Sequence, residues 1–412
     1  MTLPLSLDYS FFCRPTTPED EDNVVAALEY PDRVHSIEID GAGAPLIKKL
    51  VTAMRKPFPS LVNLDLRSHP PGTFPAIPKK FLGGSVPYLR HLSLQSFSSP
   101  HLPTLLLTAR NLVTLALYDI LPLDSYILAD LARLLATLTS LTAFSISCNA
   151  NMPLDQWQTL PDPPMRAILP VLTRLHYTGR SKYLEDFLAQ VDMPLIYRIA
   201  IEYTMAMHQI QVSQLSRFVE RTQNFKIDHF KRAEVVFYHG DPYFAFDRPE
   251  GESYLFVKTL DEDDAPLEVQ IRGMVHVLRQ FAPIFFNVDV LYARGFYVQW
   301  QSNQMDITEW LPLFRLFPTA EVLRLSGGVG VYIASALEDT PEEMVTEVLP
   351  ALRLIKLAQD EQDNDNDEEM DQDYWNESGA LIERFPFLRQ FSGCPVTVLS
   401  QEEEFVEAEW RR

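Results

Sequence analysis

Four aspartates, Asp363, Asp365, Asp367 and Asp371, stand near the spacing at which a calcium loop places its oxygen ligands. The position that needs glycine for the sharp turn is Glu368, and the closing carboxylate position is Tyr374. Lacking both, the run encodes no calcium cage and reads as a solvated acidic loop. Gly327-Gly328-Val329-Gly330 lies between an expected strand and an expected helix, where a phosphate cradle would form. It has no Lys-Ser/Thr end and not the glycine interval of a dinucleotide fingerprint, so a repeat turn is expected. The nine histidines are dispersed, with no HExxH and no close metal-ligand pair. No serine lies in a GxSxG elbow. The residue types therefore predict no catalytic group, no metal site and no cofactor; the chain is expected not to be an enzyme.

What remains is recognition, and its candidates come from a repeated figure. LVTLAL, at 112–117, reads Leu, two free positions, Leu, one free position, Leu. The figure returns as Leu61, Leu64, Leu66; as Leu89, Leu92, Leu94; as Leu141, Phe144, Ile146; and as Leu172, Leu175, Tyr177. Such a segment is a half-buried strand, whose positions four and six turn inward and three and five outward. The outward pairs in order are Ser36/Glu38, Asn63/Asp65, His91/Ser93, Thr114/Ala116, Ala143/Ser145, Arg174/His176 and Arg198/Ala200. Later copies add Val322/Arg324 and Leu354/Lys356. The row passes from acidic, through small and polar, to basic. Glu38, Asp65, His91, Ser93, Thr114, Arg174, His176, Arg198 and Arg324 are the candidate contacts, with Arg174, His176 and Arg198 a basic patch. Complementary charge along such a row fixes a partner's register more than it adds affinity.

The elements that must hold this row follow from the repeat. Its copies begin at 61, 89, 112, 141 and 172, in steps of 28, 23, 29 and 31. A fixed figure at about 20–29 residues is the signature of a leucine-rich-repeat solenoid. The fold class expected is therefore α/β, an irregular solenoid with parallel strands on the concave face and helices on the convex face. Thr17-Pro18-Glu19-Asp20 caps a helix to about Glu29, and 43–54 carries a helical apolar stripe. Asp124 or Ser125 caps a helix through Leu138, and 181–190 and 211–222 supply two more. From 223 the figure blurs. Strands are expected at 233–237, 253–257, 267–271 and 288–292, with a loop-rich excursion near 238–264. The organisation read is an N-terminal extension (1–16), the solenoid (17–359), an acidic disordered loop (360–373), a closing segment (374–400) and an acidic tail (401–412).

Bulk composition narrows the class. The net charge of −21 is concentrated in the runs 19–22, 261–264, 360–373 and 402–409, and 360–373 alone holds nine acids and no base. The rest is near neutral, and this balance argues against nucleic acid as a partner. Three cysteines, Cys13, Cys148 and Cys394, form no disulfide framework or metal knuckle, which suits a reducing compartment, cytoplasmic or nuclear. The N-terminus lacks a secretory pattern. The most apolar long window, 102–122, is broken by Pro103, Arg110 and Asp119, so no membrane span is expected.

Longer phrases add a resemblance. PEDEDNVVAALEYPDRV (18–34), FLGGSVPYLRHLSL (81–94) and LPVLTRLHYTGRSKYLEDFLAQVDMPLI (169–196) resemble the fungal, mushroom-type F-box proteins with irregular leucine-rich repeats. EWLPLFRLFPTAEVLRLS (309–326), VTEVLPALRLIKL (345–357) and RQFSGCPVTV (389–398) extend it over roughly 15–400. The resemblance implies the substrate-recognition arm of a Skp1–cullin–F-box ubiquitin ligase, in which an F-box docks on the Skp1-type adaptor and the repeats hold a protein substrate. It carries over no catalytic residue. The residues ahead of Pro18 leave no room for the helical F-box module. Either an upstream segment supplies it, or the chain is a stand-alone scaffold or inhibitor without adaptor docking.

Overall fold

The computed structural model describes residues 5–10, 18–69, 74–98, 100–120, 131–148, 165–225, 230–237, 241–247, 254–260, 265–281, 287–295, 309–326, 329, 333, 348–358 and 396–398. The fold is mixed α/β with a large, mostly parallel sheet, and the chain divides into two compact units, Met1–Ile199 and Ala200–Arg412.

In the first unit, β1 (Leu5–Ser10), β2 (Val34–Gly43), β3 (Asn63–His69), β4 (His91–Gln95), β5 (Thr114–Tyr118) and β6 (Ala143–Ser147) lie side by side in chain order. β8 (Arg174–Gly179) follows, and every pairing among them is parallel. A two-residue pair, β7 (Ala167–Ile168) with β9 (Val191–Asp192), stands apart from the main sheet. The leucine figure sets the register. Leu64, Leu92, Leu115, Phe144 and Leu175 are successive Cα partners, each at most 2% exposed. The second position of each figure carries the ladder past the strand ends. Arg90 N–H donates to Val62 O (2.8 Å), Val113 to Arg90 (2.7 Å), Thr142 to Val113 (2.9 Å) and Thr173 to Thr142 (2.9 Å). The steps between copies are unequal, yet from β3 to β8 the register does not slip; a one-residue slip would turn every leucine to water.

The connections take up the difference in length. α1 (Pro18–Ala27) and α2 (Ala44–Ala53) are as read from sequence; α2 buries Leu46, Ile47, Leu50 and Val51 against β2 and β3. Phe81–Gly84 is a 3-10 turn in which Gly83 has φ +72, and a Cβ there would stand 2.8 Å from Pro57 Cγ. α3 (Leu102–Leu106) and the helical residues 131–135 (α4) precede β5 and β6. The cap expected at Asp124 or Ser125 lies outside the described residues. α5 (Ser181–Gln190) follows β8 and sets Phe187 against Phe144 (centroids 6.0 Å apart). The short β1 extends the sheet from within the stretch read as an extension.

β10 (Arg198–Tyr203) begins in the first unit and runs into the second. The second unit has α6 (Ser213–Arg221), β11 (Arg232–Phe237), β12 (Tyr243–Asp247), β13 (Tyr254–Thr259), α7 (Leu267–Arg279), β14 (Val290–Gly295), α8 (Leu311–Phe314), β15 (Val322–Ser326), β16 (Leu354–Ala358) and β17 (Val396–Val398). Its strand order is β13-β12-β11-β14-β15-β16-β17, with β12 antiparallel to both neighbours. The other pairings are parallel.

Two sequence expectations are corrected here. The strand expected at 267–271 is the first turn of α7. Over five residues Leu267, Val269 and Ile271 alternate like a strand, but Val269 is 40% exposed. Leu267, Ile271, Met274 and Leu278 form the buried stripe of a helix that needs its full length to show itself. The strand expected at 253–257 is β13, but the stretch ahead of it, read as loop-rich, holds a further strand, β12; Phe244, Phe246, Leu255 and Val257 are fully buried. The glycine turn at 327–330 apart from Val329, the capping box at 340–343, the acidic run 360–373 and the helix expected near 376–384 lie outside the described residues.

Candidate functional site: the outward rows of the sheet

The registers place the sequence candidates in two rows of the first unit. Ser36, Asn63, His91, Thr114, Ala143 and Arg174 are successive Cα partners. So are Asp8, Glu38, Asp65, Ser93, Ala116, Ser145 and His176. All are partly or well exposed, while from β2 to β8 their strand neighbours four and six are buried. Tyr197 and Arg198 N–H both donate to Thr173 O (3.1 and 3.2 Å), the pattern that Thr173 and Arg174 make to Thr142 O. Arg198 therefore stands beside Arg174. Glu38, Asp65, His91, Ser93, Thr114, Arg174, His176 and Arg198 share this face; Arg324 belongs to the second unit.

The acidic end is internally braced. Arg67 donates through Nε to Asp65 Oδ1 (3.3 Å) and through Nη2 to Asp65 Oδ2 (2.9 Å), with Asp40 Oδ2 at 3.9 Å from Nη1. That hydrogen bonding holds the Arg67 guanidinium further into its charged form. Asn63 Nδ2 donates to Glu38 Oε1 (2.6 Å) and to Ser36 Oγ (3.1 Å). His91 Nδ1 lies 2.8 Å from Thr114 Oγ1. Exposed pairs of this kind contribute at most about 1 kcal/mol each to stability. Their larger effect is to fix where charge and donors point.

Beyond the strand ends, Asp119 has φ +51, and Ser147 Oγ donates to its Oδ1 (3.4 Å). Burial raises its carboxyl above the usual aspartate range, and the Ser147 hydrogen bond opposes this only in part. A carboxyl raised by folding contributes stability that is complete below its unfolded value, about 3.9, and is lost as pH rises through the folded value. Asp119→Asn should therefore raise Tm at about pH 7 and not at about pH 3, since asparagine keeps the acceptor and tolerates positive φ. Thermal melts of both proteins at the two pH values check this; an equal gain at both would refute it. Nearby Cys148 is buried and free, with its thiol pushed up to about 12 by desolvation.

In the second unit the sequence missed most of the outward face. Tyr292 faces Glu234 on one side and Arg324 on the other, and Arg324 faces Lys356. The Arg324 and Arg294 guanidinium carbons lie 5.0 and 5.7 Å from the Tyr292 ring centroid. Arg294 Nε is 3.1 Å from Glu234 Oε1. On the hairpin, Tyr243, Tyr254 and Phe256 form a partly exposed aromatic group. The only sequence signal for it was the alternation Tyr254, Phe256, Lys258, which carries no leucine figure.

Among the described residues, no group of three or more His, Cys, Asp or Glu is placed to share a metal ion. No helix among them is long and apolar enough to cross a membrane. A shallow depression beside α3, lined by Ile77, Phe81, Leu102 and Leu105 with Lys79 and His101, is too small for an organic ligand.

No protein-family model matches the chain, and no curated protein matches it. Among solved structures, the chain is similar to the leucine-rich-repeat-containing protein LegL7 from Legionella pneumophila. The two share 11% identity and a TM-score of 0.32, over 92% of this chain and 98% of that one.

Proposed function

We propose that the chain is a protein-interaction module, built as an irregular leucine-rich-repeat solenoid whose outward strand rows line a concave binding face. The observation that carries this reading is the constant register of the outward rows over unequal connections. It sets acids at one end of the first unit's face, small residues at Ser93, Ala116 and Ser145, and Arg174, Arg198 and His176 at the other. A face of that kind fixes a protein partner by complementary charge at two ends and close approach between them. A standard interface buries about 1,600 Å² in total, within reach of five or six neighbouring strands.

The resemblance to mushroom-type F-box proteins supports a finer reading, in which this face is the substrate-recognition arm of a Skp1–cullin–F-box ligase. The chain then binds a protein and performs no chemistry. Quantitative affinity purification with wild type and with Arg174→Glu combined with Arg198→Glu tests the face. A partner set reduced about tenfold or more is expected, at unchanged Tm; every partner retained at full yield would count against it. Recovery of a Skp1-type adaptor with the 412-residue chain tests the ligase connection separately. Partners without adaptor would make it a stand-alone scaffold or inhibitor.

A further inference from the structure

In the second unit, β13, β12, β11, β14, β15 and β16 are consecutive neighbours. One outward row across them reads Phe256, Ala245, Glu234, Tyr292, Arg324, Lys356. Its two ends differ in kind. At the hairpin, Phe256 stacks with Tyr254 (5.9 Å, 9°) and tilts against Tyr243 (5.2 Å, 43°). At the other end, Tyr292 holds Arg324 and Arg294 at cation–π distance, and Lys356 stands next in register. Arg232, Lys258, Arg294, Arg324 and Lys356 outnumber the acids Glu234, Asp241 and Asp247 on or beside this face. A chain of net charge −21 thus keeps a face with a basic excess.

We infer that this face binds an extended peptide segment carrying an aromatic or large apolar anchor and, some residues away, a cluster of acids. The inference rests on the reading of the outward rows as interaction surface. The spacing follows from the sheet. Neighbouring strands lie about 4.8 Å apart, so four to five spacings separate the aromatic group on β13 from the cations on β15 and β16, about 19–24 Å. An extended chain rises about 3.3 Å per residue, which puts about six residues between anchor and acids. The anchor gains apolar burial and aromatic contact on the Tyr254–Phe256 pair, and the acids meet guanidinium groups already oriented by Tyr292.

Single-stranded nucleic acid also uses aromatics and cations. Charge placement favours the peptide. The chain as a whole carries a net charge of −21, and Glu234 stands in the middle of the row. A phosphate backbone carries charge along its whole length and past Glu234, whereas a peptide confines its acids to Arg324 and Lys356.

The test is fluorescence anisotropy with the full-length chain and synthetic peptides bearing one tryptophan and three glutamates. Gly-Ser spacers of about two, six and ten residues separate them. The six-residue spacer should bind about tenfold tighter than either other, and Arg324→Glu with Lys356→Glu should weaken it about tenfold. Replacing Tyr254 and Phe256 by serine should abolish the preference for tryptophan over glycine at the anchor. Should a charge reversal lower Tm, Arg324→Gln with Lys356→Gln takes its place. Spacing-independent binding, no binding to wild type, or tighter binding of an oligothymidylate would overturn the inference. Partner loss on Arg174 and Arg198 reversal, if retained in that case, would leave the interaction-module reading standing.

Discussion

Leu115→Asp should strongly destabilise the first unit near neutral pH, while Ala116→Asp, one residue along the same strand, should leave its stability almost unchanged. Leu115 is 1% exposed and has Leu92 and Phe144 as its register partners, all apolar. A carboxylate there has no cation and no donor within its row, and an uncompensated buried charge costs about 3–5 kcal/mol beyond the lost leucine packing. That is a large part of the about 5–15 kcal/mol that holds a domain folded. For a unit of this size each kcal/mol shifts Tm by about 2–4 °C, so a fall of about 10–20 °C is expected. Ala116 is partly exposed between Ser93 and Ser145, where a carboxylate stays in water. Its substitution should move Tm by about 2 °C or less. Circular dichroism melts of the two variants decide the matter; equal losses would mean that the strand does not present alternate residues to opposite faces.

Trp310→Ala should cost the second unit about 3–5 kcal/mol, and Trp310→Phe less than half of that. The indole is fully buried, edge-on to Phe237 (5.4 Å, 86°) and stacked on Phe314 (6.2 Å, 19°). It joins β11 to α8, so truncation to alanine removes both aromatic contacts and leaves a cavity. Among the described residues its Nε1 has no hydrogen-bond partner. Phenylalanine therefore loses ring volume but no hydrogen bond, and it relieves a buried polar atom. Chemical denaturation gives the two free energies, and hydrogen exchange should show the loss first in the β11 amides. A phenylalanine variant as unstable as the alanine variant would show that the indole nitrogen has a bonding role.

What could be read in the chain followed locality. α2, α5 and α6 each carry their stripe within about three turns, and the Leu-x-x-Leu-x-Leu figure states strand, buried face and register in six residues. The rows through Glu38, Asp65, His91 and Thr114, and on to Arg174 and Arg198, were legible because adjacent strands are also consecutive in sequence. β12 and the first turn of α7 were misread for the opposite reason. In a hairpin strand such as β12, neither neighbour repeats the figure, and α7 imitates a strand over its first five residues. β1 was missed because its six residues show alternation but no leucine figure.

The sequence by itself determined which residues face inward and which outward, since a period of two or of about four is a local property of the chain. It also determined the sign of charge at each outward position of the leucine figures. Only the tertiary structure decided which outward residues become neighbours. β11 lies between β12 and β14, so Glu234 meets Tyr292 across more than fifty residues, and Lys231 pairs with Asp289 at 3.1 Å. Strand order is set by the burial of whole sheet faces and by the paths of the connections, neither of which is written in any one strand. The aromatic and cationic face of the second unit exists for that reason alone.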